Sequence, residues 1–207
     1  MKVFVIGATG RVGKVLVAQL RQNGHEVFAG SRRPQADDDH AIYFDLHATP
    51  QEMAKVLTGV QAVYFVAGSR GKDLLQTDLN GAVNAMKAAE LAGVKRYIQL
   101  SSAYALTPQR WSEGYLKDIT DYNIAKYFAD NWLIHRTTLD YTILQPGVLT
   151  TAPAVGQVSL DTTTLGENPL ADVATMLAAV LTAPQTSRKV IMMKQGQTSI
   201  KTALAKI

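Results

Sequence analysis

The chain has 207 residues, 47% hydrophobic and 18% charged, which suits one globular domain with a full core over residues 1–207. Its net charge of +4 is diffuse, with no basic tract interleaved with aromatics, so it argues against nucleic acid and suits a phosphorylated small ligand. Cysteine is absent, which excludes disulfides and thiolate catalysis, and His25, His40, His47 and His135 lack ligand spacing, so no metal is expected.

Met1 leads straight into a strand, and no apolar run nears the ~18 residues of a membrane span. A soluble cytoplasmic protein without a membrane partner is the expectation. Val3 to Ile6 is an unbroken apolar run, as in a strand buried on both faces of a parallel sheet. Gly7-Ala8-Thr9-Gly10-Arg11-Val12-Gly13 then turns the chain into a helix from Arg11 to Asn23, with Gly24 as its stop. Gly7 permits a tight turn, Gly10 close approach of a pyrophosphate, and Gly13 close packing of helix on strand; the helix N-terminus offers free N–H groups to an anion. Thr9, Arg11 and Val12 share this loop and are cofactor-binding candidates with the three glycines. The spacing is G-x-x-G-x-x-G, one residue wider at the front than G-x-G-x-x-G.

Glu26 to Ala29 reads as a second strand, Gln35 to His40 as a solvated loop, and Ala41 to Phe44 as a third strand ending at Asp45. A helix spans Pro50 to Leu57, and a fourth strand Val60 to Val66. Lys72 to Ala92 reads as one long helix with Leu75, Leu79, Val83 and Met86 on a common apolar face. Arg96 to Leu100 is the fifth strand, Asp118 to Arg136 a helix, and Tyr141 to Leu144 the sixth strand. The tail offers strands at Val158–Leu160 and Lys189–Met193 and helices at Pro169–Leu181 and Ser199–Lys206. This alternation predicts an α/β fold with a doubly wound parallel sheet, residues 1–147 binding the cofactor and 148–207 adding a small C-terminal substrate cap.

Such sheets bind ligands beyond the carboxyl ends of their strands, so the residues just after each strand carry the functional reading. After the second strand stand Ser31, Arg32 and Arg33, where a cofactor lacking the 2′-phosphate would want a carboxylate. NADP is therefore expected over NAD. Asp45 with Leu46 either binds an adenine amino group or caps a helix. Ala67-Gly68-Ser69 is small, as needed where backbone passes a cofactor, and Arg70 is either a phosphate ligand or solvated. After the fifth strand come Ser101 and Ser102, then Tyr104, Trp111 and Tyr115, which are either pocket walls or core packing. Tyr122 and Lys126 are four apart and share a helix face. With a serine at a strand end they form a set able to move a proton at a carbonyl or alcohol oxygen.

GATGRVG at the N-terminus, YNIAK at 122–126 and LDYTILQPGVLT at 139–150 resemble the short-chain dehydrogenase/reductase superfamily. More closely, the chain resembles its atypical branch of NmrA-like and biliverdin/flavin-reductase-like NAD(P)-binding proteins. DLNGAVNAMKAAELAGVKRYIQLSS at 78–102 and NPLADVATMLAAVL at 168–181 extend the resemblance over nearly the whole chain, and the wide glycine spacing belongs to this branch. The resemblance implies a Rossmann fold, bound NADP and, where active, hydride transfer. By position it implies that Ser102 orients substrate, Tyr122 is the general acid/base, and Lys126 binds the nicotinamide ribose, with Pro146 and Gly147 lining the nicotinamide end. Gln145 stands where relatives often have arginine. The readings, in order, are an NADPH-dependent reductase of a small carbonyl, quinone or flavin-like substrate, a non-catalytic NADP-binding regulator, and a sugar epimerase or dehydratase. Monomer and homodimer both remain open.

Overall fold

Alternate residues of the first strand enter different cores. In the computed structural model, which describes residues 1–160 and 162–207, β1 (Lys2–Ile6) sends Val3 and Val5 to one face and Phe4 and Ile6 to the other. Both faces are apolar, so the strand is sandwiched between helix layers. The following strands are β2 (Glu26–Ser31), β3 (Ala41–Tyr43), β4 (Ala62–Phe65), β5 (Arg96–Leu100) and β6 (Asp140–Pro146). Beyond them lie β7 (Val148–Thr150), β8 (Gln157–Leu160), β9 (Glu167–Pro169), β10 (Lys189–Gln195) and β11 (Thr198–Ser199).

Seven strands run parallel in the order β3-β2-β1-β4-β5-β6-β10, and β8 and then β11 continue that edge through antiparallel pairs. One face is covered by α1 (Arg11–Gln22), α5 (Leu170–Val180) and α6 (Ile200–Leu204), which contribute Leu16, Leu177 and Leu204. The other is covered by α2 (Pro50–Val56), α3 (Ala82–Leu91) and α4 (Thr120–Arg136), which contribute Met53, Met86 and Leu133. This is the doubly wound Rossmann arrangement. Its switch point lies between β1 and β4, where strand order reverses and a crevice opens beyond the carboxyl ends.

The structure departs from the sequence reading in three places. The helix expected from Lys72 to Ala92 is two segments, a π-helical stretch at Leu74–Gly81 followed by α3. The wider turn rotates Leu75 out, 67% exposed, and brings Asp78 to zero exposure. Two tertiary contacts hold it there: Ser69 N–H donates to Asp78 Oδ2 at 3.0 Å, and Gly81 packs so closely on Leu46 that a Cβ would lie 2.9 Å from the Leu46 Cβ. Second, α4 begins at Thr120 after a 3-10 stretch at Gly114–Ile119.

Third, the tail carries β7, β9 and β11, strands that the sequence reading did not offer. β10 pairs with β6, while β7 and β9 form a separate two-stranded ribbon. Arg96 ties these parts together. Its guanidinium donates to the Asp140 carbonyl (3.2 Å), Thr142 Oγ1 (2.6 Å), the Val180 carbonyl at the end of α5 (2.9 Å) and Thr186 Oγ1 (3.1 Å). Multiple acceptors, one at a helix C-terminus, offset the cost of burying that cation.

Candidate functional site

A cleft of about 950 Å³ runs along the carboxyl ends of the parallel strands, across the switch point. Its floor begins at the glycine loop. Gly7 has φ +91°, and a Cβ there would lie 2.6 Å from Ala67 N, so only glycine lets β1 turn this close to β4. A Cβ at Gly13 would lie 2.2 Å from the Gly7 carbonyl oxygen, so α1 sits directly on the loop because this position is bare. Gly13 itself does not line the cleft, whereas Gly7, Thr9, Gly10, Arg11 and Val12 do. At Gly10 a Cβ would meet just the Gly7 oxygen, at 3.1 Å, and otherwise point into open space. No side chain caps the start of α1 and no acidic residue stands in its first turn, so its N–H groups are left to an anion.

At the β2 end, Ser31 and Arg32 line the cleft, and Arg33 lies exposed outside it. The Ser31 hydroxyl is buried with no partner among the described residues. Asp45 and Leu46 line the same end, where Asp45 Oδ1 accepts the His47 N–H at 3.0 Å in a local turn. Ala67, Gly68, Ser69 and Arg70 line it after β4. Across the opening, Asp73 Oδ2 accepts from Thr77 Oγ1 (2.6 Å) and meets His47 Nε2 (2.8 Å). The Thr77 and His47 contacts hold the Asp73 carboxyl below its ordinary range.

The other end holds Ser102, Tyr122 and Lys126 with Pro146 and Gly147. Lys126 is 2% exposed, its Nζ donating to the Leu100 carbonyl at 3.1 Å and standing 5.7 Å from the Tyr122 ring centre. Phe65 closes the ammonium from beneath, at 5.8 Å. Of the two serines, Ser101 donates its hydroxyl to Asp130 Oδ2 (2.6 Å), and Ser102 faces the cleft without such a tie. Burial raises the Tyr122 phenol above its ordinary value; Lys126 pulls it down, and Asp78 and Asp130 push it up. The net effect is a phenol that keeps its proton.

Of the three aromatic residues considered as walls, Tyr115 lines the cleft. Trp111 and Tyr104 are packing instead. Trp111 Nε1 donates to the Tyr104 carbonyl (3.0 Å), and Arg110 lies 4.2 Å over the Tyr104 ring. Beyond Gly147 the cleft takes Val148 and Leu149 alone from the tail, among the described residues. Sequence reasoning passed over Asp78, Asp73, Thr77 and His47. Polar residues inside an otherwise amphipathic window, clustered after a strand end, were the signal available for the first three.

The residues present fit a dinucleotide: a bare backbone cradle at Gly10, an uncapped helix start, and a buried hydroxyl at Ser31, without a partner among the described residues, beside the exposed Arg32. A family model described as NAD(P)H-binding matches residues 7–184. The chain belongs to this NAD(P)H-binding family. It is 34% identical, over the full length of both chains, to a Bacillus subtilis protein described as the uncharacterized sugar epimerase YhfK. The crystal structure of the Lactococcus lactis oxidoreductase ylbE is similar with a TM-score of 0.96 at 43% identity, covering 100% of this chain and 96% of that one. A short-chain dehydrogenase/reductase from Veillonella parvula in complex with NADP shares the fold, with a TM-score of 0.74 at 18% identity over 96% of each chain. This membership is consistent with the resemblance of the motifs to the atypical, NmrA-like branch of the short-chain dehydrogenase/reductase superfamily. Among the described residues, no helix is long and apolar enough to cross a membrane.

Proposed function

We propose that the protein is an NADPH-dependent reductase of a small carbonyl, quinone or flavin-like molecule. The reading is carried by one observation: the glycine loop, the Ser31–Arg32 end and the Ser102, Tyr122 and Lys126 set all border a single cleft. Gly7, Gly10, Arg11 and Val12 would hold the pyrophosphate, Ser31 and Arg32 the 2′-phosphate, Asp45 and Leu46 the adenine, and Ala67 to Ser69 the adjoining backbone passage. Lys126, with Pro146 and Gly147, would hold the nicotinamide half. When bound, NADPH supplies the hydride.

For a carbonyl substrate, Ser102 donates a hydrogen bond that orients the oxygen, and Tyr122 gives that oxygen its phenol proton, leaving a phenolate that solvent reprotonates. The buried Lys126 ammonium stabilises that phenolate. With its pKa raised by burial, the Tyr122 phenol carries at neutral pH the proton that this step requires. The epimerase descriptions of the Bacillus subtilis relative and of a similar Bacillus halodurans structure support a second reading, but the two tail residues at the cleft give a sugar nucleotide little to bind.

The test is titration with NADPH and NADH, followed by turnover against aldehydes, quinones and free flavin. NADPH preference with turnover of any of these is expected. Binding without turnover would overturn the enzymatic part of the reading, and failure to bind either nucleotide would overturn all of it.

A further inference from the structure

Asp78 holds a carboxylate on the cleft wall with one oxygen bonded and the other not. Its Oδ2 accepts the Ser69 N–H at 3.0 Å, while among the described residues Oδ1 has no partner although the side chain is wholly shielded from bulk solvent. A buried acceptor left open is costly and uncommon in folded proteins. Here the backbone is arranged to keep it so. In the π-helical stretch Leu74–Gly81, Asp78 stands at the cleft while Leu75 is exposed. Gly68 has no side chain, and a Cβ there would stand 3.2 Å from Oδ1, across its approach. The stretch that carries Asp78 packs directly against α4, which carries Tyr122 and Lys126.

We propose that Asp78 is a ligand-binding residue whose free oxygen accepts a hydrogen bond from a hydroxyl of the nicotinamide-side ribose. This rests on the dinucleotide reading above. A carboxylate oxygen can only accept, so its partner must be a donor. With Lys126, which can only donate, Asp78 would bracket a ribose diol from two sides. The bond is charge-assisted, and it fixes the sugar next to the acid that protonates substrate.

The competing role is structural, as a cap for the Ser69 N–H alone. Asp78→Asn separates the two, because its amide oxygen still accepts from Ser69 while the free position becomes an uncharged donor. The full chain and this variant are titrated with NADPH and with 2′-phospho-ADP, which lacks the nicotinamide-side ribose. NADPH should bind the variant about tenfold to a hundredfold more weakly, and 2′-phospho-ADP should bind both proteins equally. Unchanged NADPH affinity, or an equal loss for the two ligands, overturns the assignment. If the unsubstituted chain binds neither ligand, the dinucleotide reading fails instead. A second measurement needs no variant: an NADPH analogue without the two nicotinamide-side ribose hydroxyls should bind the unsubstituted chain at least about tenfold more weakly. Equal affinity for that analogue also overturns the assignment.

Discussion

Lys126 and Asp130 stand one turn apart on the buried face of α4 and, among the described residues, bond to other partners and not to each other. Lys126 is held by the Leu100 carbonyl. Asp130 instead takes three neutral donors from two strands: Gln99 Nε2 and Ser101 Oγ at 2.6 Å, and Gln145 Nε2 at 3.2 Å. The carboxylate thus pins α4 to β5 and β6, and the ammonium stays available to the cleft. Gln145, in place of an arginine, is part of that clamp.

Asp130 should make stability depend on pH in a defined direction. Burial pushes its carboxyl above the ordinary range, against the opposing pull of Ser101, Lys126, Gln99 and Gln145. The native state therefore binds a proton that the unfolded chain has already lost, and stability falls as pH rises above the unfolded value of about 4. Asp130→Asn removes this titration, and Gln99, whose Oε1 has no partner among the described residues, can turn its amide to accept from the new NH₂. The Tm of the variant minus that of the unsubstituted chain should grow between about pH 4 and about pH 7, by about 2–4 °C per kcal/mol. A flat or shrinking difference would contradict the direction given for Asp130.

Tyr122→Phe should cut carbonyl reduction by about 10²- to 10⁴-fold and leave NADPH affinity nearly unchanged. In the unsubstituted enzyme, the alkaline fall in activity should lie above the ordinary phenol value of 10.0, because burial raises it. Full activity in the Phe variant would sink the acid assignment and point to direct hydride transfer to a flavin or quinone.

Arg32 and Arg33 are adjacent but unequal, since Arg32 alone borders the cleft. Arg32→Ala should weaken NADPH binding about tenfold or more while sparing NADH, as loss of a charge-assisted phosphate contact requires. Arg33→Ala should leave both nearly unchanged. Equal effects of the two variants, measured by nucleotide titration, would rule out this division.

Gly13→Ala should damage both stability and binding. The added Cβ would lie 2.2 Å from the Gly7 oxygen and 2.9 Å from the Ala8 Cα, so α1 must move off the loop. The expected cost is about 1–3 kcal/mol, seen as a lower Tm, with weaker nucleotide binding beside it. Gly24→Ala is the contrast: φ is +80° but nothing lies within 4 Å, so it should cost stability and leave binding intact.

Much of this molecule was legible because its determinants are local. An apolar run such as Val3–Ile6 states that both faces of a strand are buried. Glycines three apart after it describe a turn and a close helix. Tyr122 and Lys126 share a face because four residues make about one helical turn. Arg33 shows the limit of such reading, since adjacency to Arg32 says nothing of which side chain reaches the cleft.

What the sequence by itself determined was the alternation of strands and helices, the position of the glycine loop, and the spacing of the Tyr–Lys pair. Tertiary structure decided the rest. That β10 would lie beside β6 depends on pairing between segments far apart in sequence, with Arg96 joining β5 to the end of α5. That Asp78 would turn in and Leu75 out depends on a π-turn held by Ser69 and Leu46. Hydrophobic periodicity assumes a regular 3.6-residue helix and a partner for each apolar face. Where contacts from distant segments change the helical repeat, the same residues point elsewhere, and no local pattern records it.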